Sequence, residues 1–389
     1  MQQIQTFRID SFRGLREVAL DDVGRVNLIV GGNNSGKTSI LEALAVFSSP
    51  ADISEWASIA RLREVRALVI RDSGLSAVDA MLWLFPHQSG YDFARDTMEI
   101  AMSATGETRV KNLSAIGSPI RGIPPEPRIN VRKGPVSEVL EEEGWRLSIK
   151  AAIAPGTVED GHVGDLLELI QDDPDRQEVQ LELDVWSSLG TRYGRPPRRV
   201  GIPCAMLSPY SHRNQPLQMR LLSRIVSSGQ KEELIELLRG IDGNLADLEI
   251  ITDNTGRPLI TASFQDGRLV PVTVLGDGFR RALAIAVAIN DVRGGIILID
   301  EIETALHVSA LDDLFPWLVK TAERLNVQVF ATTHSLEAVQ AITVAAAGVG
   351  DGCLTAYHLS ANGQQSGAAR RYSLGMLQRL VRDRGLDIR

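Results

Sequence analysis

GGNNSGKT, residues 31–38, is the stretch whose reading decides the fold. Gly31, Gly36, Lys37 and Thr38 stand in the order Gly-x4-Gly-Lys-Thr. The apolar run RVNLIV (25–30) ahead of the loop reads as a buried strand. Behind it, Ile40, Leu41, Leu44 and Phe47 recur at helical spacing, and Pro50 predicts a stop near residue 49. Strand, glycine turn and helix start make a cradle for phosphate: glycines let the backbone curl so that successive N–H groups face the anion. The positive end of the helix adds to the attraction. Lys37 offers a cation to the β- and γ-phosphates, and the Thr38 hydroxyl is a Mg²⁺ ligand. Asn33, Asn34, Ser35 and Ser39 fall in the same nucleotide-binding turn.

A second feature lies at GGIILIDEIETALH (294–307). Four apolar residues, 296–299, suit a central strand of a parallel sheet, and ligands bind at the carboxyl ends of such strands. Two carboxylates there need partners, because burying charge is costly. Asp300 is read as a holder of the Mg²⁺ shell. Glu301 is read as the residue that orients or deprotonates an attacking water. The next apolar run, VQVFATTHS (327–335), ends on His334, placed to donate to the γ-phosphate. Strand and helix patterns alternate from residue 270 onward, as in a parallel sheet with crossover helices.

The chain has 389 residues, 44% hydrophobic and 23% charged, which suits a globular protein of two or three domains. A net charge of −8 indicates neither nucleic acid nor an anionic membrane as partner. The cluster Arg195–Arg199 reads as a solvated loop. Two cysteines, Cys204 and Cys353, are too few for a disulfide framework and read as buried thiols of a reducing compartment. No run of eighteen apolar residues suggests a membrane span. The first residues carry charges where a secretory leader needs an apolar core. A soluble, cytoplasmic protein is expected.

Residues 51–200 differ in texture. A helix near 78–84 precedes strand candidates at 98–103, 145–152 and 179–186, with GSPIRGIPPEP (117–127) read as a loop. An amphipathic helical stretch, 217–238, is interrupted at Gly229, and no heptad pattern persists long enough for a coiled coil.

VLGDGFRRAL (274–283) brings two glycines to the start of another helix, without a Gly-Lys-Thr of its own. In order, the chain carries a phosphate loop, Leu275-Gly276-Asp277-Gly278-Phe279 before a helix, Asp300-Glu301 at a strand end and His334 at the next. This set resembles the ABC-type ATPase class, whose signature of pattern Leu-Ser-Gly-Gly-Gln closes over the nucleotide of a partner subunit. Here Gly276 replaces the serine. Residues 7–44, IDEIETALH (299–307) and VFATTHS (329–335) are similar to the OLD-like and SMC-related branch, including stand-alone prokaryotic AAA-type ATP-binding proteins.

The resemblance implies a P-loop NTPase of α/β class with an ABC-type head, a mixed sheet and crossover helices, formed by residues 1–50 and 200–389. Residues 51–199 are then an inserted module, β-rich and helical. It implies ATP and Mg²⁺ as cofactors, with Gly276, Asp277 and Gly278 supplied to a second copy in a homodimer or higher homo-oligomer. Asp277 is read as a helix N-cap, or else as a partner of Lys or Arg across the interface. Gln88 is a candidate for the glutamine loop. Too few residues follow His334 for a further domain of about 100 residues, so a separately encoded effector, a nuclease or toxin, is expected in an anti-phage defence setting. A DNA-repair or chromosome-associated ATPase, a non-catalytic ATP-dependent scaffold and a transporter ATPase stay open as alternatives.

Overall fold

The computed structural model describes residues 3–62, 77–87, 96–123, 141–154, 178–186, 201–214, 219–252, 255–350, 352–360 and 369–383. Gln88, Arg195–Arg199 and the last six residues lie outside them.

Three sheets organise the described residues. The first is antiparallel and pairs β1 (Thr6–Phe12) and β2 (Leu15–Leu20) with later strands. The strand of the phosphate-loop reading is β3 (Val26–Gly31), buried along its whole length. It leads into α1 (Lys37–Ser48), whose end agrees with the stop expected at Pro50. Next come α2 (Ile53–Arg61) and α3 (Ala77–Leu82). Asp52 caps α2 by accepting from the amides of Ser54 and Glu55, a helix start that the sequence reading missed.

The antiparallel sheet then continues through β4 (Met98–Thr105), β5 (Val110–Gly122), β6 (Glu142–Ile153) and β7 (Glu178–Trp186), in the order β2-β1-β4-β5-β6-β7. Its buried residues alternate with exposed ones, as in a sheet with one covered face. β4 hydrogen-bonds directly to β1, so strands from both sides of residue 50 share one sheet. The expected inserted module therefore has no sheet of its own among the described residues.

The loop expected at 117–127 is a strand as far as Gly122. Gly117 is not a turn residue there. A Cβ on it would lie 2.5 Å from Cζ3 of Trp145, so glycine makes room for the indole of the paired strand.

The central sheet has the order β15-β14-β3-β13-β12-β8. It comprises β8 (Cys204–Leu207), β12 (Ile296–Ile299), β13 (Gln328–Thr332), β14 (Leu354–Leu359) and the edge strand β15 (Arg370–Ser373), together with β3. Strands β14, β3, β13, β12 and β8 run parallel, and β15 runs antiparallel to β14. This is the mixed sheet with crossover helices that the sequence suggested. Between β8 and β12 lie α4 (Ser211–Asn214), α5 (Met219–Ser227), α6 (Lys231–Arg239) and a small sheet of β9 (Leu245–Thr252), β10 (Pro258–Phe264) and β11 (Leu269–Pro271). Gly229, at φ 71°, makes the break between α5 and α6. The crossovers proper are α7 (Asp277–Asp291), α8 (Val308–Arg324) and α9 (Leu336–Ala347), and a short α10 (Leu374–Leu377) follows β15.

Two hydrophobic cores cover the two faces of the central sheet. Along β12, Ile297 and Ile299 join the core under α7, α8 and α9, while Ile296 and Leu298 join the core that contains α1 and the antiparallel sheet. Burial on both faces is why β12 reads as an unbroken apolar run. Gln328, fully buried, ties the sheets together: its Nε2 donates to the carbonyls of Ile4 and Gly24, and its Oε1 accepts from the Ile4 amide. Cys353 is buried as expected, but Cys204, on the edge strand β8, stays partly exposed. Among the described residues, no helix is long and apolar enough to cross a membrane.

Candidate functional site

The parallel strands end on one edge, and the polar residues of the sequence reading collect there. The turn between β3 and α1 has the backbone it needs. Gly36 sits at φ 93° as the residue before α1, and Asn34 at φ 60°. A Cβ on Gly36 would lie 2.7 Å from Cδ2 of Leu15, and one on Gly31 would lie 2.5 Å from the Leu359 carbonyl oxygen. Both glycines are thus fixed by left-handed backbone and by contact with neighbouring strands.

Lys37 is buried, and its Nζ donates to the carbonyls of Gly31 at 2.8 Å and Gly32 at 2.7 Å. Burial lowers its pKa, while the nearby carboxylates Asp300, Glu301 and Glu303 push it back up. A buried cation whose hydrogen bonds, among the described residues, go to neutral carbonyls can exchange them for an anionic ligand.

Thr38 and Asp300, distant in sequence, meet here: Thr38 Oγ1 lies 3.1 Å from each carboxylate oxygen of Asp300. Thr332, at the end of β13, completes the cluster. Its hydroxyl donates to Asp300 Oδ1 at 2.6 Å and accepts from the Glu301 amide at 2.8 Å. A hydroxyl and a carboxylate side by side are hard oxygen donors that suit Mg²⁺, next to the backbone turn that suits its phosphate partner. The donor set fits the expected ion.

Glu301 leaves the strand with φ 46°, a left-handed conformation rare outside glycine, and its Oε2 accepts from Thr304 Oγ1 at 2.9 Å. Glu303, which the sequence reading did not single out, accepts from the His334 backbone N–H at 2.8 Å through Oε1. It thereby fastens the loop after β12 to the tip of β13 that carries His334. His307, in the same loop, caps α8 by accepting from the Ser309 amide and is exposed.

The second glycine element stands beside this loop. Gly276 is the residue before α7, and a Cβ on Gly278 would come 3.0 Å from the Ala305 carbonyl oxygen. The cap expected of Asp277 is not made: it is the first helical residue, and the cap position belongs to Gly276. Its carboxylate pairs instead with Arg213 and Arg280 of the same chain, with His212 Nε2 at 3.7 Å. Those arginines hold its pKa below the usual carboxylate range. The negative charge of Asp277 is thus paired within the subunit.

Arg281 is the residue that sequence reasoning missed altogether. It lies on α7 with no exposed surface and donates to the carbonyls of Ser208 at 2.6 Å, Asp300 at 2.9 Å and Glu301 at 3.3 Å. Burial pulls its pKa down to about 10, against the opposing pull of Asp300, Glu301 and Glu303, so it stays charged at neutral pH. An arginine four and eight residues ahead of the buried Ile285 and Ile289, on the apolar face of α7, was the available signal.

Residues 3–97 match a family model described as "AAA ATPase domain". Residues 164–340 match one described as "AAA domain, putative AbiEii toxin, Type IV TA system". Two uncharacterized proteins of Methanocaldococcus jannaschii are similar over short stretches. One is 54% identical over 46 residues, 12% of this chain and 21% of that protein. The other is 43% identical over 65 residues, 17% of this chain and 57% of that protein. The chain thus spans less than two thirds of either relative's length. An "ATP/GTP phosphatase" of Helicobacter pylori is 24% identical over 353 residues, 87% of this chain and 86% of that one. Among solved structures, an SMC head bound to the C-terminal winged-helix domain of ScpA aligns with a TM-score of 0.46 at 12% identity, over 96% of this chain and 98% of that one. The phosphate turn on the parallel sheet and the AAA matches together mark a P-loop NTPase fold.

Proposed function

We propose that this protein binds ATP with Mg²⁺ and hydrolyses it, and that the bound nucleotide drives two copies to pair. The observation that carries the reading is the hydroxyl–carboxylate cluster Thr38–Asp300–Thr332 beside a buried Lys37 whose hydrogen bonds, among the described residues, go to carbonyls. The AAA family matches and the name of the Helicobacter pylori relative support it.

In this reading the turn 31–38 wraps the phosphates with backbone N–H groups, and Lys37 leaves the Gly31 and Gly32 carbonyls for the β- and γ-phosphate oxygens. Thr38 and Asp300 hold Mg²⁺, which screens the phosphate charge when bound. Glu301 releases Thr304 to orient and deprotonate the attacking water. His334, positioned through its amide by Glu303, senses the γ-phosphate.

Gly276–Gly278 and the start of α7 close over the nucleotide of a second copy. ATP thus favours a closed pair and hydrolysis releases it, a shift between two states. The resemblance to stand-alone OLD-like proteins suggests what the switch does: it regulates a separately encoded effector in anti-phage defence.

Size-exclusion chromatography with light scattering on Glu301→Gln tests the pairing. With Mg²⁺ and ATP the mass is expected to double, and with ADP to return to one chain. A monomer with ATP bound would refute it.

A further inference from the structure

Arg281 is a fully buried charge outside the turn 31–38, and its partners are unusual. No carboxylate accepts a hydrogen bond from it among the described residues. Its guanidinium spans three backbone carbonyls, at the tip of β8 (Ser208) and at the tip of β12 (Asp300 and Glu301). Burying an ion is costly, and here Asp300, Glu301 and Glu303 offset that cost only through space, with every hydrogen bond among the described residues going to a carbonyl, so the arrangement needs a reason.

The carbonyls themselves supply one. Asp300 carries the proposed Mg²⁺-binding carboxylate, and Glu301 sits at φ 46°. A left-handed glutamate costs about 1 kcal/mol or more and persists only where its surroundings fix it. Two groups fix it from opposite sides: Thr332 accepts from its amide, and Arg281 Nη2 donates to its carbonyl and to that of Asp300. Only a planar fork can reach β8 through Nη1 and β12 through Nη2 together, and the single ammonium of a lysine cannot copy that geometry. Arg281 is also one turn into α7 from Gly278. The same side chain thus fastens the glycine element to the strand end that carries Asp300 and Glu301.

We infer that Arg281 is a positioning residue for hydrolysis: by bonding the carbonyls of Ser208, Asp300 and Glu301 it holds the Glu301 backbone in the conformation that aims its carboxylate. This rests on the hydrolytic reading of the same site. In that reading ATP is held by the turn 31–38, to which Arg281 makes no hydrogen bond among the described residues, so the effect falls on turnover and spares affinity.

The test compares wild type with Arg281→Lys and Arg281→Gln in two assays. The first is steady-state phosphate release with ATP affinity by calorimetry. The variants should lose roughly 10- to 100-fold in kcat, the loss of one or two hydrogen bonds from a charged donor, while Kd for ATP stays within about twofold. The second is amide hydrogen exchange without nucleotide. Residues 300–304 should exchange at least about tenfold faster in the variants, with α7 and β13 protected as in wild type.

Unchanged kcat and unchanged exchange at 300–304 would overturn the inference. So would parallel losses of affinity, turnover and protection across α7, or failure of both variants to fold, since each marks a purely structural role. If wild type itself releases no phosphate, the hydrolytic reading fails, and the exchange experiment still decides whether Arg281 holds Glu301.

Discussion

Replacing Thr332 by valine removes one hydroxyl and keeps the shape and strand preference of the side chain. The hydroxyl lies in a buried position and makes two bonds: it donates to Asp300 Oδ1 at 2.6 Å and accepts from the Glu301 amide at 2.8 Å. A hydrogen bond to a charged group contributes about 1.5–3 kcal/mol, and leaving a buried amide unsatisfied costs about 1–3 kcal/mol. Asp300 keeps its bonds to Thr38, and the valine methyl recovers part of the loss through burial. The net cost is therefore roughly 2–4 kcal/mol. With a urea m-value of about 3 kcal/mol/M, the unfolding midpoint followed by circular dichroism falls by about 1 M. Thr332→Ser keeps the hydroxyl and should cost no more than about 1 kcal/mol. A valine variant within about 0.3 M of wild type would refute the cluster. So would serine and valine variants that fall together, because the methyl and not the hydroxyl would then matter.

Other outcomes follow from the same geometry. Lys37→Ala removes the cation that ATP recruits from the Gly31 and Gly32 carbonyls, and calorimetry should show ATP affinity reduced by about 100-fold or more. Gly36→Ala strains a residue at φ 93° and drives a Cβ to 2.7 Å from Leu15, so ATP binding should fall while the far-UV spectrum is kept. Burial pushes the Cys353 thiol up to about 11, which leaves about one thiolate in a thousand at pH 8. Iodoacetamide at that pH should modify Cys353 only as fast as the protein opens, and immediate labelling in the folded state would count against its burial.

What the sequence reveals here is what local chemistry dictates. The turn 31–38 needs its glycines and lysine at fixed spacing whatever surrounds it, and it appears with the backbone that the pattern requires. The strands β3, β12 and β13 are buried on both faces, so an unbroken apolar run announces them, and the polar residues at their tips follow.

Long-range pairings left no such mark. Asp277 reads as a helix cap because short polar residues cap helices, yet its partner Arg213 is 64 residues away. Among the described residues Arg281 bonds carbonyls, which every residue has, so no sequence pattern points to its partners. Gly117 looks like a turn and is a gap left for the ring of Trp145 on the paired strand. The antiparallel sheet joins β1 to β4 across the 85 positions between Phe12 and Met98, and neither strand records that pairing. The loop carboxylate Glu303 was passed over because its acceptor role is set by the tip of a different strand.

In the proposed function, Glu301 turns a nucleotide-binding turn into a hydrolytic site. Phosphate release from ATP at saturating nucleotide and Mg²⁺, measured for wild type and Glu301→Gln, tests it most directly. The account predicts turnover by wild type and a fall of about 100-fold or more in the variant, with ATP affinity unchanged. Equal rates in the two proteins, or no release from either, would contradict it.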